Sequence, residues 1–231
     1  MSNCKEKLFT EFVAPSKQEW LDKIQVDLKG ADFDKRLVWR TNEGFNVQPF
    51  YLREDVEKLK TPESLPGEFP FVRGNKKNDN EWYVRQNIKV DDAKTANEKA
   101  LSLLNKGIDS LGFKISGDNV NKDFVETLLD GIVCDAVELN FCTCKRHTLA
   151  LAQILTEYFE QKGYDKAKIV GSLDWDPMEK VVMKGKDVTP ILDIAPELVK
   201  ALAAYPNFRC IAVNAVSLNN AGSYIVQELG Y

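Results

Sequence analysis

A chain of 231 residues with 44% hydrophobic and 29% charged residues is long enough for one sizeable α/β domain with an appendage. Its net charge of −4 gives no basic surface for nucleic acid, and no apolar run approaches the roughly 20 residues that span a bilayer. Met1 to Lys7 lead into no signal-peptide core, and five cysteines without a secretion signal point to reduced thiols and a cytoplasmic location.

The first eighty residues read as a small extended arm. Ser16 with Glu19 three residues on forms a capping-box pattern, which starts a helix carrying Trp20, Leu21, Ile24 and Leu28 and ending at Gly30. Leu37-Val38-Trp39 and Val47 to Tyr51 read as extended pieces around the Asn42-Glu43-Gly44 turn. Thr61 to Gly67, with two prolines, is a loop. An arm of this kind lacks a core of its own and is expected to lie on something else.

From residue 81 strands and helices alternate. Strands are predicted over Trp82–Val90, Phe113–Ser116, Ala136–Phe141, Lys168–Ser172 and Arg209–Val216. Helices are predicted over Lys94–Gly107, Asn121–Gly131, His147–Lys162 and Ile194–Tyr205, with another opening at Gly222. This spacing implies parallel βαβ units. Five units are visible where a (β/α)₈ barrel has eight, so the expected fold is an N-terminal arm (1–80) plus an incomplete TIM barrel (81–231), about two-thirds of the way round. Gln227 to Tyr231 read as a helix cut mid-course, and three absent units would leave strand edges prone to self-association. A flavodoxin-like open sheet of five strands is the other arrangement the pattern permits.

Phe69-Pro70-Phe71-Val72-Arg73-Gly74 followed by Trp82-Tyr83-Val84-Arg85-Gln86 resembles the entry to the substrate barrel in the methylmalonyl-CoA mutase family, where P-F-x-R-G leads into W-x-[IV]-R-Q. Catalytic members of that family place a Tyr- and Thr-rich insert between the two motifs. Here the gap is Asn75-Lys76-Lys77-Asn78-Asp79-Asn80, with no aromatic and no hydroxyl group. Glu19-Trp20-Leu21 through Leu37-Val38-Trp39 is similar to the arm by which these subunits embrace, and Gly171-Ser172-Leu173-Asp174-Trp175-Asp176-Pro177 to the G-x-x-x-x-D-P step of small subunits. Val213 to Ser223 resembles the I-S-G-Y-H-M-Q-E-A-G-A segment. Aligned on Ala221-Gly222, it sets Ser217 where the family carries its catalytic histidine, a donor to the thioester oxygen.

The resemblance implies a non-catalytic small subunit of a heterodimeric adenosylcobalamin-dependent mutase interconverting methylmalonyl-CoA and succinyl-CoA. The cofactor would be held by the large catalytic subunit, the partner of this chain, and none by this segment, which has no D-x-H-x-x-G cobalt-ligand motif. On this reading no residue is catalytic, Ser217 is a degenerate position, and Arg73, Arg85, Gln86 and Asn219 are structural motif positions. The barrel interior is expected to be filled with side chains. An active acyl-CoA mutase with an altered pocket and a CoA-binding regulatory module are the alternatives.

Other groups have plainer readings. Cys142-Thr143-Cys144 with His147 and Cys134 is a weak match to zinc spacing, and reads instead as a strand end with His147 capping the next helix. Asp174 and Asp176 flank Trp175 where a barrel strand ends, and Asp176-Pro177 is a turn signal. Asp91-Asp92 and Glu54-Asp55 read as solvated surface.

Overall fold

A computed structural model describes residues 9–59 and 63–230. The expectations for Met1–Lys7, for Thr61 in its loop and for Tyr231 lie outside the described residues, as does Cys4. The chain divides into two compact units, Met1–Asn78 and Asp79–Tyr231.

In the first unit Ser16 caps α1 (Lys17–Asp27) through the reciprocal bonds its sequence promises: Glu19 N–H donates to Ser16 Oγ at 3.2 Å and Ser16 N–H to Glu19 Oε2 at 2.7 Å. Lys29 and Gly30, both at positive φ, end it. Asp32 caps a short α2 (Phe33–Leu37), so Leu37 is helical, where the sequence reading had it extended. Only Trp39–Arg40 (β1) and Asn46–Val47 (β2) pair, antiparallel, around a turn closed by Thr41 Oγ1 donating to Phe45 O at 2.7 Å. Pro49 has no N–H to extend the second strand, and α3 (Arg53–Val56) follows. Lys17 pairs with Glu54, and Asp55 accepts the Leu52 N–H, so these two acids hold local structure as well as facing solvent. The Trp20 and Phe50 rings meet edge-on at 6.1 Å. None of the described residues before Asp79 is buried, which leaves Phe12, Trp20, Trp39, Tyr51 and Phe69 exposed.

The second unit runs β3 (Arg85–Val90), α4 (Ala93–Leu104), β4 (Ser110–Ile115), α5 (Lys122–Leu129), β5 (Glu138–Cys142), α6 (Thr148–Gln161), β6 (Gly171–Leu173), α7 (Glu179–Lys184), α8 (Thr189–Leu192), α9 (Ala195–Leu202), β7 (Phe208–Arg209), α10 (Ala215–Asn220) and α11 (Ile225–Gly230). The five strands β3 to β7 lie side by side in chain order and every pairing is parallel. A flavodoxin-like sheet reverses direction at its first strand. A strictly sequential order does not, so the open-sheet alternative falls and the sheet is the wall of a partial (β/α) barrel.

Several predicted boundaries move by three residues or more, among them the starts of β4, at Ser110 and not Phe113, and of β6, at Gly171 and not Lys168. Strand pairing begins at Arg85 and not at Trp82, and the last strand ends at Arg209, with Ala215 onward turning helical. Asp92, read as surface, caps α4 by accepting the Thr95 N–H at 2.8 Å, and Asn121 caps α5 through Phe124 N–H.

The register sorts side chains by face. Gln86, Leu111, Leu139, Gly171 and Phe208 form one row, and Ile88, Phe113, Phe141 and Leu173 the next. Apart from Gln86, which is exposed, these rows pack on Ala96 and Ala100 of α4, Val125, Leu128 and Leu129 of α5, Leu151, Leu155 and Phe159 of α6, and Leu198 and Leu202 of α9. Phe113 and Phe141 stack at 5.7 Å. Gly171 belongs to this layer because a Cβ there would run into the backbone of Leu139 and the ring of Phe208. The buried Asn97 amide donates to Leu128 O and Asp130 O at 2.9 and 2.7 Å, tying α4 to the end of α5.

Candidate functional site: the polar face and strand ends of the partial barrel

Residues one step out of phase with that core point to the other side of the sheet, and there the rows are polar. One runs Arg85, Ser110, Glu138; the next Asn87, Gly112, Asn140, Ser172, Arg209; the third Lys89, Lys114, Cys142. Together with Asp174 and Ala212, part of this face lines a trough of about 490 Å³.

A hydrogen-bonded network fills its base. Glu138, only 8% exposed, accepts from Ser110 Oγ at 2.5 Å, Asn140 Nδ2 at 3.2 Å and Arg209 Nη2 at 2.8 Å. Asn140, 1% exposed, accepts in turn from Ser172 Oγ at 2.6 Å. Burial alone would raise the Glu138 carboxyl. The Ser110 and Asn140 bonds, with the charges of Arg209 and Arg85, outweigh it and hold the group below its ordinary range. The donors Ser110, Asn140, Arg209 and Ser172 each meet an acceptor within the network, the condition under which a buried polar network is stable.

Arg85, a predicted motif position, lies within this face: its Nε donates to Asn87 Oδ1 at 3.1 Å, and both side chains lie over Gly112, where a Cβ would collide with them. Gln86 is on the opposite row and donates to Asn87 O at 3.1 Å. Asn219 sits on α10 and donates to Glu228 Oε1 of α11 at 2.6 Å. Arg73 is in the first unit, between Phe71 and Gly74, both at positive φ. Within the second unit, Arg85 and Gln86 converge on Asn87, and Ser217 and Asn219 share one helix.

Ser217 occupies the first turn of α10, and its hydroxyl donates to Glu179 Oε1 at 2.9 Å. The same oxygen accepts from Asn214 Nδ2 at 3.2 Å. Asp176, 2% exposed, accepts from the backbone N–H of Met178, Glu179 and Asn214 at 3.0, 3.2 and 2.8 Å. It is thus more than the turn residue the sequence suggests. The residues missed by sequence reasoning are Glu138, Asn140, Ser172, Arg209, Glu179 and Asn214. The polar–apolar alternation of Glu138-Leu139-Asn140-Phe141 carried a signal for the first two, because a parallel strand covered on both faces reads as continuously apolar.

Among the described residues no group of three or more His, Cys, Asp or Glu is placed to hold a metal ion. His147 occupies the N-cap position of α6 without a side-chain cap bond, which corrects the capping expectation; its ring packs against Gly117, where a Cβ would strike it. Cys142 ends β5, and its thiol is raised by burial and by the neighbouring Asp174 charge. Burial pushes the Cys134 thiol up to about 12. Native protein treated with a thiol reagent at pH 8 is therefore expected to label at the exposed Cys144 within minutes and at Cys134 only on unfolding, as read by peptide mass spectrometry. No helix among the described residues is long and apolar enough to cross a membrane.

The sequential parallel sheet, helices on one face and a polar row on the other, defines a (β/α) barrel wall of the type that carries a site at its strand ends. Residues 40–117 and 119–231 match the family profile of methylmalonyl-CoA mutase. The chain is 49% identical over 239 residues to the methylmalonyl-CoA mutase small subunit of Porphyromonas gingivalis, covering 100% of this chain and 37% of that protein. It is 27% identical to the small subunit of Streptomyces virginiae, over 96% of this chain and 37% of that one. Against the human mitochondrial methylmalonyl-CoA mutase the identity is 26%, over 94% of this chain and 32% of the relative. The chain belongs to the methylmalonyl-CoA mutase family. It spans about a third of the length of the curated relatives it matches.

Proposed function

We propose that this chain is the N-terminal portion of the non-catalytic small subunit of a heterodimeric, adenosylcobalamin-dependent methylmalonyl-CoA mutase. Residues 1–80 are the arm that packs on the large catalytic subunit, and residues 81–231 are the first part of the small subunit's barrel. The observation that carries this reading is Ser217. Where the family resemblance calls for a free imidazole donor, the chain has a short neutral hydroxyl already committed to Glu179. The exposed aromatic side chains of the first unit, which has no buried residue among those described, suit a segment whose apolar surface is covered by another subunit. Arg85 and Asn87 lying over Gly112 suit a barrel whose interior is occupied by its own side chains.

Cobalamin would supply a carbon radical by homolysis of its cobalt–carbon bond. The described residues do not fit it: the sole histidine packs its ring on Gly117, and no other imidazole exists to ligate cobalt. We assign the cofactor to the large subunit.

The test is affinity capture of the tagged full-length gene product from its native host. Recovery in equal amount of a larger, cobalamin-binding mutase chain is expected, with isomerase activity in the complex alone. Activity of the tagged chain by itself would replace this reading with an altered-pocket enzyme. The trough bordered by Arg85, Lys114 and Ser172 is the feature on which a CoA-binding module would rest. Equilibrium dialysis of the isolated subunit against CoA is expected to show no saturable binding.

A further inference from the structure

Two loops leave the strand ends of β6 and β7, the edge of a barrel wall where mobile loops ordinarily sit. Here they are tied together by two carboxylates. Asp176 collects three backbone N–H groups, two from its own loop and that of Asn214 from the other, at 2.8 to 3.2 Å. Glu179, in the first turn of α7, reaches across to accept the Asn214 amide and the Ser217 hydroxyl. A backbone bond from Ala212 N–H to Trp175 O, 3.1 Å, runs alongside. In the Asp176 and Glu179 bonds that reach the other loop, thirty-five or more residues separate the partners in sequence, so these bonds are tertiary.

Asp176, itself buried, is satisfied by backbone donors, which suits a fixed structural tie. Glu179 differs. Its contacts with Asn214 and Ser217 are side chain to side chain and only part-buried, so each can be broken without breaking secondary structure. The helices it joins are each six residues long and have no buried residue of their own. Elements so short do not hold their place by packing, and their order depends on the bonds that tether them.

We propose that Glu179 is a clasp: its carboxylate, taking the Ser217 hydroxyl and the Asn214 amide, couples the ordering of the loop after β6 to that of α10, so that the two open and close as one unit over the strand ends. Ser217 serves as the clasp's donor, not as a residual reacting group. The proposal goes beyond the subunit assignment and does not depend on it. Failure of the capture experiment would leave the clasp standing, and failure of the clasp would leave the capture result unaffected.

Hydrogen–deuterium exchange of the full-length protein, read on peptides covering 177–184 and 214–221, tests it, with 110–115 and 138–142 as controls for the core. Glu179→Ala is expected to speed exchange roughly ten-fold in both segments and to leave the controls unchanged. Glu179→Gln, which keeps the accepting oxygen, retains most of the protection. Ser217→Ala speeds both segments roughly three-fold and adds nothing further on top of Glu179→Ala, because the bond it would remove is already gone. Wild-type rates in Glu179→Ala, acceleration confined to 177–184, a Gln variant as fast as the Ala variant, or additive effects in the double variant would each overturn the clasp. If Glu179→Ala does not accumulate as folded protein, Ser217→Ala decides alone: acceleration in both segments supports the clasp, and acceleration in 214–221 only refutes it.

Discussion

Phe141→Ala is expected to lower the stability of the barrel segment by about 3–5 kcal/mol, the cost of deleting a buried aromatic ring and leaving its cavity. Phe141 is 2% exposed in β5, stacked on Phe113 and in register with Leu173 on the next strand. Its ring joins the core row that carries α4, α5 and α6, so no single helix can shift to refill the space. Domains of this size have only about 5–15 kcal/mol in hand, and the loss is most of that at the lower end. Urea unfolding followed by tryptophan fluorescence is expected to show a midpoint displaced well toward zero denaturant with little change in slope. Phe141→Leu, which keeps most of the volume, is expected to cost roughly 1 kcal/mol. Equal midpoints for wild type and Phe141→Ala would mean that this row is not the core.

Much of this arrangement is legible in the sequence because it rests on local signals. The Ser16–Glu19 box and the repeated strand–helix period report directly on neighbouring residues, and the structure follows them. What sequence leaves out depends on partners far along the chain. Ile211-Ala212-Val213 has the composition of a strand, yet the strand stops at Arg209: Asp176 takes the Asn214 N–H and α10 begins at Ala215. Helices α7 and α8 are six and four residues long and are separated by Gly185, with Lys180, Lys184 and Lys186 in and just after α7, so no apolar period announces them. The candidate site shows the same division. Arg85 and Ser217 are both visible as motif residues, but while Arg85 bonds Asn87 on its own strand, Ser217 bonds Glu179, a partner set by tertiary placement. A hydroxyl or an amide in a one-dimensional string gives no sign of whether it is free to react or already engaged.

The buried charge at the base of the polar face gives the second large effect. Arg209→Met keeps much of the side-chain stem but removes the cation from Glu138, leaving a carboxylate 8% exposed with only the neutral donors Ser110 and Asn140 and the more distant charge of Arg85. Losing one partner of a fully buried pair costs about 3–5 kcal/mol, but the Arg209 side chain is 66% exposed and screened by water. A loss of about 1–3 kcal/mol at neutral pH is therefore expected. The sign of its pH dependence follows from the lowered Glu138 carboxyl. A group whose folded pKa lies below its unfolded value, ordinarily near about 4.3, stabilises the fold above that unfolded value and loses the contribution as pH falls through the folded one. Without Arg209 one of the charges that lowers the folded pKa is gone, so that pKa moves up and the contribution shrinks. The gap between wild type and Arg209→Met should thus be full near pH 7, narrow once the pH drops below the ordinary carboxylate range, and nearly close where Glu138 is protonated in both proteins. Paired urea titrations at neutral and acid pH measure it. A gap that stays constant with pH would assign the loss to the packing of the arginine stem on the sheet and remove the charge network from any part in stability.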